Sequence, residues 1–150
     1  MIKIIVDTNI VFSSLLNPAN SIAEFLFNSG DCFEFYAPSF LRMEIEKHKG
    51  KLLKLSQLQE FELEEIKYII FDQITFVHEE LIPFEIWTES IHILKEIDSN
   101  DVPFLALSKY LEAVLWTGDL KLKNGLANKG FDKVYSFAQI SMLRDRLRKM

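Results

Sequence analysis

The sequence predicts an α/β domain whose parallel sheet is covered by helices on both faces, a three-layer α/β/α sandwich. Three observations lead there. Short apolar runs alternate with helical segments along the chain, the strand candidates IKIIV, FEFYAP, ITFVH and AVLWT are near-continuously apolar, and no repeat, low-complexity tract or Gly/Ser linker interrupts the 150 residues. Strands apolar on both faces belong to parallel sheets, because each crossover lays a helix over one side. The length fits one domain, residues 1–150.

The elements follow in order. IKIIV is β-branched and reads as a buried strand ending at Asp7. In SIAE, Ser21 and Glu24 stand at capping-box spacing and open a helix that Gly30 closes. FEFYAP is a short strand, and Ser39 is the expected N-cap of one helix through FLRMEIEKHKGKLL. In LQEFELEEIKYIIF, helical spacing puts Phe61, Ile66, Ile69 and Ile70 near one face. ITFVH is the next strand, and Pro83 suits the first turn of a helix reaching about Ile97. VPFLALSKYLE begins a helix beside Asp101, and AVLWT is a strand ending at Gly118-Asp119. KVYS and SFAQISMLRDRLRK close the chain as strand and helix, with a capping box at Ser136 and Gln139.

Composition narrows the class. Apolar residues are 49% and aromatics 13%, thirteen of them Phe, which supplies a packed core and excludes a disordered chain. No apolar stretch approaches the roughly 18 residues that cross a bilayer, so no membrane association is expected. MIKIIVDTN lacks the cleavage site of a signal peptide, and the single Cys32 suits a reducing compartment, so a cytoplasmic location is expected. The net charge of −5 opposes bulk binding to nucleic acid, but the charge is uneven. Residues 72–101 hold eight acids and one lysine, whereas residues 42–54 hold Arg42, Lys47, Lys49, Lys51 and Lys54 against two glutamates, and RDRLRKM holds four basic residues against one acid.

The acids carry the chemistry. Asp7 and Asp119 each follow a strand, and ligand crevices in open α/β sheets lie beyond the carboxyl ends of strands. Asp101 stands at the start of the helix feeding the second of these strands, and Glu44 lies inside a helix. Each has a purely structural reading: Asp7 as a turn former, Asp101 and Asp119 as helix caps, Glu44 as a surface acid facing His48. Together they are harder to explain that way, because crowded carboxylates repel and raise one another's pKa. A divalent cation relieves that repulsion, and an all-oxygen set suits Mg²⁺ or Mn²⁺, ions that serve phosphodiester hydrolysis.

The stretches IIVDTNIVFSSLL, PSFLRMEIEKH, DSNDVPFLALSKYLEAVLWTGD and the closing strand and helix, in that order, resemble the PIN-domain family. The resemblance covers nearly the whole chain and implies a PIN-like fold with four or five parallel strands, the first at the centre. It implies a Mg²⁺- or Mn²⁺-dependent endoribonuclease leaving 5′-phosphate and 3′-hydroxyl ends. Asp7, Glu44, Asp101 and Asp119 take the metal and catalytic positions, and Thr8, Asn9 and Thr117 the supporting ones. Glu44 is preferred to Glu46, because the two point about 200° apart on a helix. Asp98 reads as a loop acid able to reach metal through water. The family further implies RNA as substrate, a toxin role with an antitoxin partner, and a homodimer among its arrangements. One departure stands out: where many members carry another acid after the TGD aspartate, this chain has LKLKNG, which favours a single tightly held ion. Lys121 and Lys123 there read either as a solvated helix face or as phosphate contacts. The competing reading is a non-catalytic PIN-fold module that binds RNA or protein.

Other chemistries find no support. His48, His78, His92 and Cys32 lack zinc-site spacing, and no Gly-rich phosphate loop is present. Trp87 and Trp116 read as core. Asn9 breaks the D-x-D pattern of aspartate-nucleophile phosphatases, and the paired early acids of a receiver domain are missing.

Overall fold

A computed structural model describes all residues, 1–150. In chain order the elements are β1 (Ile2–Val6), α1 (Thr8–Leu16), α2 (Ser21–Asn28), β2 (Phe33–Pro38), α3 (Phe40–Lys47), α4 (Lys49–Ser56), α5 (Glu60–Asp72), β3 (Ile74–Val77), α6 (Phe84–Leu94), α7 (Val102–Leu111), β4 (Val114–Trp116), α8 (Leu120–Asn128), β5 (Val134–Tyr135) and α9 (Phe137–Arg148). The five strands form one sheet in the order β3-β2-β1-β4-β5, every pairing parallel. With nine flanking helices this is the expected α/β/α sandwich.

The strand order reverses at β1, whose neighbours are β2 on one side and β4 on the other. Ile4, Ile5 and Val6 face Val114, Leu115 and Trp116 in register, and all but Val114 are buried. That is why these strands are apolar without alternation: helices cover both faces. Helix α7 packs across β1, β2 and β4, burying Phe104, Leu105, Ala106 and Leu107, while α1 packs against α2, α3, α4 and α5.

Aromatic rings fill the core around Phe25. Its centroid lies 5.3 Å from Trp116 and 5.7 Å from both Phe33 and Phe137, in edge and stacked arrangements. Arg144 of α9 lies 4.4 Å above the Phe25 ring and donates to Ser29 Oγ at 2.9 Å. Arg148 clasps both oxygens of Asp31, at 2.9 and 3.0 Å, which holds the Asp31 carboxyl down at a pKa of about 2. Two of the basic residues in the final segment thus fasten α9 to the body of the domain.

Several local expectations change. Asn20, not Ser21, caps α2, its Oδ1 accepting from the Ala23 amide at 2.8 Å, and the helix ends at Asn28 ahead of Gly30. Ser39 adopts helical angles and caps nothing; Glu79 reaches across instead and accepts from the Phe40 amide at 2.5 Å. The helix expected through FLRMEIEKHKGKLL breaks at His48 (ψ 14°), just before the helix-weak Gly50, giving α3 and α4. On α5, Leu63 and Ile70 are buried, whereas Phe61 and Ile69 are 66% and 50% exposed. The apolar stripe of α5 is wider than the groove that receives it. Helix α6 stops at Leu94, short of Ile97.

No single helix is long and apolar enough to cross a membrane; α1 and α2 pass that test only as a pair bent by 108°.

Phe25→Ala removes the ring on which four others pack, and the expected loss of stability is about 3–5 kcal/mol. Urea denaturation checks this, and a loss under 1 kcal/mol would mean that the neighbouring rings close the space.

Candidate metal centre

Beyond Val6 and Trp116 the paired strands β1 and β4 run directly into the acids. The Asp7 amide still donates to the Trp116 carbonyl at 3.4 Å, so the ladder extends to the first acid itself. Asp7 is only 4% exposed. It caps α1 through Oδ1, which accepts from the Ile10 amide at 3.0 Å, and Asp119 caps α8 the same way through Leu122 at 3.1 Å. Capping and site geometry coexist here: the cap aims each carboxylate along a helix N-terminus, which favours negative charge. Thr117, buried between them, hydrogen-bonds the Asp7 carboxylate through its side chain, and its Oγ accepts from the Asp119 amide at 3.1 Å.

Asp101 is held differently. It ends a short 3-10 turn, Ser99–Asp101, and its carboxylate caps no amide of α7. Asp98 begins that turn and accepts from the Asn100 amide at 2.9 Å. One carboxylate oxygen from each of Asp98, Asp101 and Asp119 lies within 4.8 Å of the other two. Glu44 reaches the same cleft from α3, its Oε1 accepting from Thr8 Oγ1 at 2.9 Å. The cleft is lined by Asp7, Thr8, Asn9, Phe12, Glu44, His48, Lys51, Asn100 and Asp101.

Burial and repulsion mark the ionisation of Asp7 and Asp101. Burial pushes the Asp7 carboxyl up to about 6, against the lowering effect of Thr117 and the Ile10 amide, with Asp119 adding repulsion. Asp101 is pushed up to about 7, first by burial and then by the charges of Asp98, Asp7, Asp119 and Glu44. Carboxylates arranged at this disadvantage form an all-oxygen donor set for a hard divalent cation such as Mg²⁺ or Mn²⁺. The residues fit that group.

Of the four acids singled out in the sequence, Asp7, Glu44 and Asp101 line the cleft, and Asp119 groups with Asp101; Thr8 hydrogen-bonds Glu44 and Thr117 hydrogen-bonds Asp7 and the Asp119 amide, while Asn9 stands exposed on the cleft wall. Glu46 points away from the cleft, toward Lys67 at 3.3 Å. Asp98, first read as a loop acid, stands within the tightest acidic group. Lys123 is engaged by Gln139 Oε1, and neither it nor Lys121 lines the cleft. His48, Lys51 and Phe12 were not assigned to the site from sequence. The signal was there in Glu44, His48 and Lys51, spaced i, i+4, i+7 on one helical stripe.

A glycine sets one dimension of the site. A Cβ on Gly125 of α8 would lie 2.8 Å from Cδ1 of Ile97 and 3.0 Å from its Cγ1. Asp119 is the N-cap of α8, and Ile97 immediately precedes Asp98. The close approach of Gly125 to Ile97 brings the helix carrying one carboxylate against the loop carrying the other two.

A family model described as PIN domain matches residues 5–139. No curated protein sequence matches the chain significantly. Solved structures of similar fold include VapBC2 from Rickettsia felis bound to a DNA fragment from its promoter, with TM-score 0.64 and 16% identity over 90% of this chain and 98% of that one. A toxin–antitoxin complex from Klebsiella pneumoniae matches with TM-score 0.57 and 16% identity, covering 87% of this chain and 94% of that one. At such identity these likenesses establish the fold.

Two measurements test the geometry. Asp7 and Asp101 hold protons more tightly folded than unfolded, so their contribution to stability is full below the ordinary carboxyl pKa and is lost as pH rises through about 6 and about 7. The Tm of metal-free protein is expected to fall between pH ~4 and ~7, and Mn²⁺ to restore it most at the upper end; a Tm rising across that window without metal contradicts the assignment. Gly125→Ala is expected to weaken Mn²⁺ binding about tenfold in calorimetry, as roughly 1.4 kcal/mol of misplacement would. Ile97→Ala in the same chain should return most of it, and unchanged affinity in Gly125→Ala would show that the contact positions nothing.

Proposed function

The chain belongs to the PIN-domain family, and from that premise we propose that it is a metal-dependent endoribonuclease, the toxin of a toxin–antitoxin pair. One observation carries the reading: Asp7 and Asp119 at the ends of adjacent central strands, Asp101 and Asp98 on the facing turn, and Glu44 across the cleft. The raised carboxyl pKa values of Asp7 and Asp101 support a role in binding a cation, since a structural site has no reason to keep like charges together. Both structural relatives named above are toxin–antitoxin assemblies, which supports an antitoxin as the partner here.

Asp7, Asp101 and Asp119 are the residues to hold Mg²⁺ or Mn²⁺. Such an ion supplies Lewis acidity and lowers the pKa of water for attack on a phosphodiester. The chain's own contribution is placement. The cap bonds and Thr117 fix the rotamers of Asp7 and Asp119, so the carboxylates do not reorganise when substrate arrives. Thr8 holds Oε1 of Glu44, which leaves Oε2 to orient water and accept its proton. Asp98 adds a carboxylate beside Asp101 and Asp119, so LKLKNG does not leave the centre short of acids.

Asn caps helices about as well as Asp, so Asp7→Asn and Asp119→Asn are expected to fold. Calorimetry with Mn²⁺ should show affinity lost by at least about tenfold in each, and cleavage of single-stranded RNA should fall by about a hundredfold or more. Full cleavage by either variant would sink the assignment. Metal binding by the wild type without cleavage of any RNA would instead support the non-catalytic binding module.

A further inference from the structure

The wall of the cleft opposite the turn at Asp98 is a ladder between two helices. Thr8 and Phe12, one turn apart on α1, face Glu44 of α3, His48 at the break and Lys51 of α4. The rungs are the Thr8–Glu44 hydrogen bond at 2.9 Å, the edge-on Phe12–His48 ring pair at 6.4 Å, and the Lys51 ammonium 5.5 Å from the Phe12 centroid. Polarity changes along it from carboxylate, through two rings, to a cation.

Several cations on or beside these helices are committed elsewhere, while Lys47 and Lys54 are unpaired but do not line the cleft. Lys49 bonds Glu60 and Glu64 at 2.7 and 3.2 Å, Lys67 bonds Glu64 and Glu46, and Arg42 lies 4.0 Å over the Phe76 ring. Lys51 has no carboxylate within ion-pairing distance, although the cleft it lines is acidic, and no other lysine or arginine lines that cleft. An ammonium steadied by a ring face and left without a counter-ion is prepared for an anion that comes with the substrate.

We propose that Lys51 binds a backbone phosphate of the RNA strand beside the one presented to the acids, with the Phe12 ring holding its ammonium at the lip of the cleft. The inference rests on the ribonuclease reading and adds to it the direction in which the strand leaves the centre, along α1 and α4. It also resolves an electrostatic difficulty: a floor of carboxylates repels a polyanion, and a cation at the far end of the wall gives the strand a point of attachment that does not compete with the metal.

Fluorescence anisotropy of a labelled single-stranded RNA with Mn²⁺, read before turnover, measures this contact, and cleavage of the same probe is followed separately. Lys51→Ala is expected to weaken binding about tenfold and to reduce the slope of log K against log salt by about 0.7, the value for one phosphate contact to a single strand. Lys51→Arg should bind within about twofold of wild type, because it keeps the charge that meets the phosphate. Calorimetric Mn²⁺ affinity of Lys51→Ala should be undiminished, which a structural role would not predict. If the wild type cleaves and Lys51→Ala binds with unchanged affinity and salt slope, the inference is overturned while the nuclease reading stands. If the wild type binds without cleaving and Lys51→Ala binds more weakly, the contact stands and the nuclease reading falls. A wild type that does not bind the probe overturns both.

Discussion

Parallel pairing of β1 with β4 is the constraint on which the rest of the molecule depends. These strands lie more than a hundred residues apart in the chain, and their register puts Val6 beside Trp116 with Asp7 and Thr117 immediately beyond. The pairing is secured by burial on both faces, with α7 laid across β1, β2 and β4. Because strand order reverses at β1, the helices that leave these two strands diverge and open a crevice between their N-termini. Everything charged at the centre hangs from that crevice.

Keeping several carboxylates there costs stability, and the surrounding structure accepts the cost in identifiable ways. Each strand-end aspartate is tied to a helix amide, Thr117 hydrogen-bonds to both, and Thr8 fixes Glu44. Asp101 alone has no cap bond, and its carboxyl is pushed furthest, to about 7. The acid least satisfied by the protein is the one that gains most from a cation. The bare approach of Gly125 to Ile97 belongs to the same economy, since a glycine inside a helix is unfavourable by up to about 1 kcal/mol unless close packing requires it.

Fold and function are separate inferences here. Similarity to solved toxin–antitoxin structures at 16% identity speaks to the fold. Function rests on the site: which carboxylates converge, what holds them, and where a cation is left free. The distribution of basic residues illustrates the difference. In sequence the final segment and residues 42–54 look equally suited to a polyanion. In the folded chain Arg148 is locked to Asp31, Arg144 lies over Phe25 and Lys49 is paired with Glu60, so Lys51 is left at the cleft.

The sequence by itself determined the layered fold, because continuously apolar strands alternating with helices can be buried only as a parallel sheet between two helical layers. It determined the chain positions of Asp7, Asp101 and Asp119, because strand ends and helix starts are legible from periodicity and cap chemistry. The closing capping box at Ser136 and Gln139 was local enough to be read outright. Tertiary structure decided what depends on partners distant in the chain. Glu79 replaced Ser39 as the cap of α3, the groove under α5 chose Leu63 and Ile70 over Phe61 and Ile69, and Asp98 joined the acids through the turn that Ile97 and Gly125 bring in. Which lysine lines the acidic cleft was of the same kind. A charge is fixed by the sequence, but its freedom is fixed by whichever carboxylates the fold brings within reach.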